Sequence, residues 1–431
     1  MTIALIGFAS LILLCFFGFK VGFATMFVGV VGFALERGWE PALAMTGTQI
    51  MEDAMNYNLS VIPLFILMGV FIYRADISRD LYDAAYVAVG QLRGGLALST
   101  VIACAGFSAV CGSSIATAAT MTKVAMPPMR KYNYADSLAT GTIAAGGTLG
   151  IMIPPSVPLV IYGIVSEQDI ALLFIAGIVP GLLLVSLFMI AVSVTVWIFP
   201  DAGPAGDPLP VDQKRQALKA VWPVISLFVL VLGGIYGGIF TPTEAAGIGA
   251  FGAATIAWLR GHLRTVREWK ISLVEAAKTT ATLFIAIFGA LVFAQFINLS
   301  GMPYDILDAI DDMNLTPWQL VLVIALIAVL MGMIFESIGI LLLLVPVFLP
   351  ALYDAGVDMI WFGIVVVLVT ELGLITPPIG MNVFVVKSVM PDAELKQIFR
   401  GVVPFIFAMV AGLVLVFAVP ELATFLPNLM K

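Results

Sequence analysis

Ile153-Pro154-Pro155-Ser156 and Thr376-Pro377-Pro378-Ile379-Gly380 each interrupt a long apolar run, and their placement decides how the chain folds. Each Pro-Pro pair begins 40 residues after a serine: Pro154 after Ser114 in Gly112-Ser113-Ser114, and Pro377 after Ser337 in Glu336-Ser337-Ile338-Gly339. A single offset of 223 superposes Ser114 on Ser337, Pro127 on Pro350 and Pro154 on Pro377. Proline inside a helix removes a hydrogen bond and introduces a clash. Broken backbone persists in hydrocarbon only where protein or a wet cavity satisfies its polar groups. Paired interruptions in two halves of a membrane chain therefore point to a binding site between the halves.

Of the 431 residues, 61% are hydrophobic and 11% charged, the composition of an integral membrane protein. The longest polar interval, residues 201–219, reads as a linker with a short amphipathic piece. The net charge is −7 and the basic residues are scattered over short loops, which gives nucleic-acid binding no support. Cys15, Cys104 and Cys111 all sit in apolar runs without CxxC or Cys/His spacing, so neither a disulfide framework nor a zinc site is expected. His262, the one histidine, lies in a polar loop with Arg260 and Arg264 and reads as solvated. The N-terminal MTIALIGFAS has no basic leader region and reads as a first membrane helix.

Apolar spans run near residues 2–18, 21–35, 59–73, 170–199, 221–240, 243–259, 279–298 and 401–420. Two further tracts, 96–129 and 317–352, are too long for one crossing. A helix of that length extends roughly 50 Å, against a hydrocarbon core of about 30 Å. Flanking charge resolves the excess. Arg93 precedes the first tract and Arg130 and Lys131 follow it, while Asp305, Asp308, Asp311 and Asp312 precede the second and Asp354 and Asp358 follow it. Each tract thus returns to the side it left, as a re-entrant hairpin. The positive-inside rule opens the first from the cytoplasm, and its acidic flanks open the second from outside. Threading the other spans places the N-terminus outside, with only Arg37 and Lys431 of the 20 Lys and Arg on the outer face.

The segments bearing the Pro-Pro pairs, about 134–166 and 359–387, then cross in opposite directions, as an inverted repeat requires. Amphipathic arms, Asp76–Gln91 and Tyr304–Asn314, precede the hairpins and are expected at the membrane interface. The expected fold is an all-α polytopic bundle. Residues 1–92 hold the scaffold helices and arm of one repeat, 93–200 its hairpin and broken helix, and 201–220 a cytoplasmic linker. Residues 221–315 and 316–400 repeat that order, and 401–431 form a C-terminal helix.

A hairpin tip at Ser114 lies about 16 residues, or roughly 24 Å, from its base, at mid-membrane or deeper. The break at Pro154 lies at similar depth, so hydroxyls and freed carbonyls share a small volume. Such hard, mostly uncharged oxygens suit a desolvated Na⁺. Gly112, Gly146, Gly147 and Gly150 allow close backbone approach. By symmetry Ser337 and Gly339 face Thr376, Pro377 and Gly380 across a second site. Opposed helix N-termini favour an anion between them. Ser156, Tyr162, Glu336 and Asn382 are the candidates for contact with it, with Glu336 also able to neutralise a cation and Glu371 to brace the unwound segment. Structural readings compete at each position. Ser and Gly near helix ends also serve close packing, Pro127, Pro128 and Pro350 read as turn residues at hairpin bases, and Lys123 reads as snorkelling to the cytoplasmic surface, with contact to an anion as its alternative.

Across nearly its whole length the chain resembles the large membrane subunit of a tripartite ATP-independent periplasmic (TRAP) transporter. The most specific stretches are CGSSIATAA (111–119), LGIMIPPSVPLVIYGIVSEQDIALLFIAGIVPG (149–181), IFTPTEAAGIGA (239–250), ESIGILLLLVPVFLP (336–350) and ELGLITPPIGMNVFVVKSV (371–389). Cys111 departs from the small residue, such as serine, common before Gly112. The resemblance implies a static scaffold and a mobile transport domain working as an elevator in the bacterial inner membrane. It also implies uptake driven by Na⁺, with a separate small four-helix membrane subunit and a periplasmic binding protein that delivers an organic acid such as sialic acid or a C4-dicarboxylate. Carried over residue by residue, the implied sodium sites fall on Ser113 and Ser114 with Gly150 and Pro154, and on Ser337 and Gly339 with Thr376 and Gly380.

The nearest rival is a stand-alone Na⁺/carboxylate symporter of the same superfamily, which needs no binding protein. An intramembrane enzyme would need a nucleophile, base or metal cluster that one loop histidine and no paired intramembrane aspartates do not supply. The topology makes a direct prediction. A cysteine introduced at Asp308 should react with an impermeant thiol reagent added outside, and one at Arg130 should not; the reverse labelling would overturn the orientation.

Overall fold

In the computed structural model, residues 2–430 are described, save the side chain of Asp311. Lys431, expected on the outer face, lies outside the described residues. The chain opens with α1 (Thr2–Phe16), α2 (Val21–Arg37), α3 (Trp39–Ala54), α4 (Val61–Arg74) and the amphipathic α5 (Ile77–Val89). A first helical hairpin follows, α6 (Gly95–Cys111) and α7 (Ser114–Lys131), then α8 (Asp136–Met152), α9 (Val157–Val165) and the long α10 (Ile170–Ile198). The second half comprises α11 (Val211–Tyr236), α12 (Pro242–Leu259), α13 (Val266–Leu299) and the arm α14 (Met302–Asp312). Its hairpin is α15 (Pro317–Gly332) and α16 (Ser337–Asp354), followed by α17 (Met359–Ile375), α18 (Met381–Val389), α19 (Leu395–Ala418) and α20 (Glu421–Leu429).

Six of the described helices are long and apolar enough to cross a membrane, and α8 with α9, bent by 42° at Ile153–Ser156, makes a seventh span. Length alone would count α16 among the crossings; its packing against α15 and α17 makes it the second arm of a hairpin. Both Pro154-Pro155 and Pro377-Pro378 are cis and lie between helices, as their missing donors require.

The structure departs from the sequence expectations in four places. Residues 39–54, placed in no span, form α3. The second half of the linker, from Val211, is helical and runs without a break into α11, because Asp212, Lys214, Arg215 and Lys219 can remain wet beside Leu218 and Trp222. Helix α13 starts 13 residues before the expected span. There the Thr265 hydroxyl accepts from Glu268 N at 3.3 Å while the Glu268 carboxylate accepts from Thr265 N at 2.9 Å, a reciprocal cap that satisfies two otherwise free donors. Pro127 and Pro128, expected in a turn, lie inside α7, and Pro350 lies inside α16.

Helices α2, α4, α11, α12 and α13 pack as one group, with α2 on α13 and α4 on α12 as its main seams, and the amphipathic α5 lies between α11 and α6. The hairpins, both broken segments, α10 and α19 pack as another, in which α6 and α7 lie on α8, α15 lies on α17, and α19 lies on α8 and α10. Within this second group the halves interlock. The second arm of each hairpin packs on the far half of the other half's broken segment: α7 on α18, and α16 on α9.

Contacts at the ends of the bundle show where each hairpin enters. Arg130 pairs with Asp136 at 3.3 Å and with Asp392 at 2.6 Å, joining the base of the first hairpin to the exit of α18. The Arg130 hydrogen bond holds the Asp392 carboxyl below its ordinary range. Tyr132 and Tyr86 fix the linker on that side by donating to Asp207, at 2.8 and 2.9 Å. After the broken segment α8–α9 has carried the chain away from this cluster, Gln168 and Ser166 meet Tyr353, at the base of the second hairpin, at 3.0 Å each. The two hairpins thus enter from opposite ends.

Helices α8 and α19 cross with almost no space between them: a Cβ at Gly401 would lie 1.9 Å from the Ser137 carbonyl oxygen, and one at Gly141 2.2 Å from the Gly401 carbonyl carbon. Overpacking of this kind costs about 1–3 kcal/mol or more. Gly401→Val should therefore lower the thermal unfolding midpoint of the purified protein by several degrees or prevent recovery of folded material. An unchanged midpoint would show that this crossing is looser than described.

Candidate functional site

Each hairpin turns at residues whose backbone cannot continue the first helix. Gly112 adopts φ +61°, a left-handed conformation that glycine takes without strain. Ser113 then caps α7, its hydroxyl accepting from Ala116 N at 3.4 Å. At the second tip Glu336 occupies the position before α16, in extended backbone. The N-terminal turns of α7 and α16 both border a cavity of about 320 Å³. Its walls come from both packing groups: Gly69 and Tyr73 of α4 and Thr279 and Glu275 of α13 on one side, and the two hairpin tips on the other.

The first predicted cluster is assembled. A Cβ at Gly112 would lie 3.3 Å from the Pro155 carbonyl oxygen, so the tip rests on the first break. A Cβ at Gly150 would lie 3.3 Å from the Ser113 carbonyl and 3.1 Å from Ser108 Oγ, and one at Gly147 3.0 Å from the Ser114 carbonyl oxygen. These glycines let hairpin and helix touch backbone to backbone. Pro154 is buried, against Gly177 of α10.

The second cluster is arranged differently from the symmetric expectation. The Ser337 hydroxyl donates to Glu371 Oε1 at 2.8 Å, before the break begins. Thr376 returns its hydroxyl to Leu372 O at 2.6 Å. A Cβ on Gly339 would face Val21 of α2 at 3.5 Å, and one on Gly380 the Thr376 carbonyl oxygen at 3.4 Å. Pro377 and Pro378 are exposed, whereas Pro154 and Pro155 are buried.

Of the residues expected to meet an anion, Glu336 borders the cavity. Ser156 is fully buried and caps α9 by accepting from Leu159 N at 3.4 Å. Tyr162 is also fully buried; its hydroxyl donates to Met359 O at 2.5 Å and its ring fills the space beside Gly363. Both serve packing here. Asn382 lies at the first cluster, donating from Nδ2 to Ser114 Oγ at 2.6 Å and to the Ala144 carbonyl at 3.1 Å. A carbonyl only accepts, which fixes the amide nitrogen on that side.

Two residues singled out in the sequence are placed differently from their first reading. Glu371 sits between the hairpins, bonded to Ser337 with Ser114 also beside its carboxylate. The offset of 223 aligns it with Thr148, so the repeat gave no signal for it. Lys123, read as snorkelling, lines the cavity with Glu275, Thr279 and Glu336. Four buried side-chain oxygens near the tips have no hydrogen-bond partner: Ser108 Oγ, Thr117 Oγ1, Glu371 Oε2 and Asn382 Oδ1. Buried polar atoms without partners are rare and costly.

The chain matches the family described as tripartite ATP-independent periplasmic transporter, DctM component, over residues 8–422. It is 35% identical to the C4-dicarboxylate TRAP transporter large permease protein DctM of Pseudomonas aeruginosa over 88% of each chain. It is 32% identical to the sialic acid TRAP transporter large permease protein SiaM of Vibrio cholerae over 96% of each. The ectoine TRAP transporter large permease protein TeaC of Halomonas elongata is 31% identical over 98% of each. Among solved structures, the YdaH transporter of Alcanivorax borkumensis has the same fold at a TM-score of 0.66 and 14% identity, covering 89% of this chain and 88% of that one. MtrF of Neisseria gonorrhoeae matches at 0.61 and 14% identity, covering 90% and 85%.

Hydrogen bonds to charged partners contribute about 1.5–3 kcal/mol, and 1.4 kcal/mol is tenfold in affinity. Ser114→Ala and Ser337→Ala should each weaken Na⁺ binding about tenfold while leaving membrane insertion intact, as read by Na⁺-dependent thermal stabilisation. Unchanged Na⁺ affinity in both variants would remove the tips from the cation site.

Proposed function

Because this chain belongs to the TRAP transporter family as its DctM component, we propose that it is a Na⁺-driven permease for a carboxylate-bearing solute in the bacterial inner membrane. Its partners on this reading are a small four-helix membrane subunit and a periplasmic binding protein that delivers the solute. The observation that carries the proposal is the meeting of both hairpin tips at one cavity between two packing groups.

The first cluster holds Na⁺ on this reading, with Gly112, Ser113, Ser114, Gly150 and Pro154 contributing hydroxyl or backbone oxygen. The second, around Ser337, forms fully when Gly339, Thr376, Pro377 and Gly380 close upon it. The solute occupies the cavity. Its carboxylate is drawn by the N-terminal ends of α7 and α16, which carry positive partial charge, and by the ammonium of Lys123. C4-dicarboxylates, sialic acid and ectoine, named for the relatives, all carry a carboxylate, which supports the class without choosing a member.

The division into packing groups supports an elevator. Helices α4 and α13 form the fixed wall, and the hairpins with α8, α9, α17 and α18 form the moving one, so a rigid-body slide carries the cavity across the bilayer. The two halves form an inverted repeat on this reading, with the N-terminus periplasmic; the opposed entry of the hairpins supports it.

Proteoliposomes containing this chain and its small subunit test the proposal with a panel of organic acids. Uptake should require both an inward Na⁺ gradient and the binding protein. Gradient-driven uptake without the binding protein would instead indicate a stand-alone symporter, and uptake indifferent to Na⁺ would contradict the coupling.

A further inference from the structure

The first turns of α11 carry a face that points away from the bundle. Val211, Lys214, Arg215, Leu218, Lys219 and Trp222 line a shallow groove of about 520 Å³ there. Their spacing is that of one side of a helix. Val211 is 80% and Trp222 65% exposed, while Val221, Val224 and Leu227 on the other side of the helix are buried. Lys214, Arg215 and Lys219 have no ion-pair partner among the described residues. Asp212 is the one carboxylate of α11 and sits in its first turn, where the free N–H groups favour it. No described acidic side chain lines the groove.

Neighbouring contacts set the depth of this face. Arg260, at the end of α12, donates to the Ala220 carbonyl of α11 and pairs with Asp80 of the amphipathic arm α5. Ala220 is therefore level with the arm, and an amphipathic helix of this kind lies at the membrane interface. On the polar side of that level come Lys219 and, roughly 8–9 Å further along the axis, Arg215 and Lys214. On the other side the same face continues through Trp222, Ile225 and Val229, all exposed, along the apolar part of the helix. A cationic band directly above an apolar stripe, with a tryptophan at the boundary, matches the two parts of an anionic phospholipid. Its phosphate meets the guanidinium and ammonium groups, and its acyl chain runs along Trp222, Ile225 and Val229. A free phosphate would satisfy the cations and leave the stripe uncovered.

We propose that this face of α11 binds an anionic phospholipid of the cytoplasmic leaflet. The inference rests on the membrane placement that puts the linker before α11 in the cytoplasm. Helix α11 packs with α4, α12 and α13, the group that forms the fixed wall on the elevator reading, so the lipid anchors that group while the hairpins slide past it.

Native mass spectrometry of the permease with its small subunit, titrated in detergent with phosphatidylglycerol or phosphatidylcholine, tests the site. Each basic residue near an anionic surface is worth about fivefold in affinity, so wild type should prefer phosphatidylglycerol by at least about tenfold. Lys214→Gln/Arg215→Gln/Lys219→Gln should lose most of that preference. Arg264→Gln/Arg267→Gln/Lys270→Gln, which removes as many cations from the same side, should keep it. Equal loss in the two variants would reduce the effect to general surface charge and overturn the site. Displacement of the lipid by an equal concentration of inorganic phosphate would also overturn it, as would release of the small subunit from the first variant, which would make this face a protein interface. Should the first variant fail to fold, photoactivatable lipids in wild-type proteoliposomes carry the decision. The phosphatidylglycerol probe should crosslink within Val211–Trp222 severalfold more than the phosphatidylcholine probe. Equal labelling would overturn the site, and labelling by neither would overturn the membrane placement itself.

Discussion

A polar group stripped of its partner inside hydrocarbon must find another, and this requirement organises the whole molecule. The interruptions at Pro154-Pro155, which is buried, and at Pro377-Pro378, which is exposed, both free backbone groups between helices. Hairpins that stop midway, at Gly112 and at residues 333–336, do the same. Each such end is stable only against another. The first tip therefore rests on the first break, the second tip bonds the helix preceding the second break, and α7 and α16 reach across to the opposite half. Interlocking follows from polar satisfaction, and the glycines at 112, 147 and 150 provide the space for it.

The two halves are not equivalent in this state. The first break is buried against α10, while Pro377 and Pro378 are exposed and Thr376 turns its hydroxyl back into its own helix. Glu371 has a threonine, Thr148, as its counterpart under the repeat offset. One half thus holds its cluster through close backbone contact, and the other through a carboxylate. A site with one closed and one open side is suited to a chain that must admit and release a solute in alternation.

Much of this was legible beforehand because it depends on local covalent facts. Proline removes a backbone donor, and although Pro180 and Pro404 lie inside α10 and α19, the two Pro-Pro pairs repeated at one offset marked the breaks, so the hairpin tips and the serines at fixed distance from them could be placed by counting. The charges at Arg130 and Asp354 likewise marked the hairpin bases. What sequence reasoning lost depends on contacts between distant segments. The crossing of α7 onto α18 and α16 onto α9 leaves no periodic trace. The burial of Tyr162 against Gly363 and Met359 depends on a helix about two hundred residues away. Helix α3 and the early start of α13 were missed for another reason: both are polar enough to read as loops, and the reciprocal cap at Thr265 and Glu268 is a weaker signal than an apolar run.

The central claim is that the two tips, each with its own proposed cation cluster, are coupled through Glu371 and do not act independently. A double-mutant cycle on Ser114→Ala and Ser337→Ala, read as Na⁺ affinity from thermal stabilisation, tests this most directly. Distant independent sites add within about 0.3–0.5 kcal/mol, and groups sharing a network deviate by more. The account predicts that the second substitution costs much less once the first has been made, because Glu371 loses its link to both hairpins through either. Strict additivity would mean that each tip binds its ion alone, and would contradict the account.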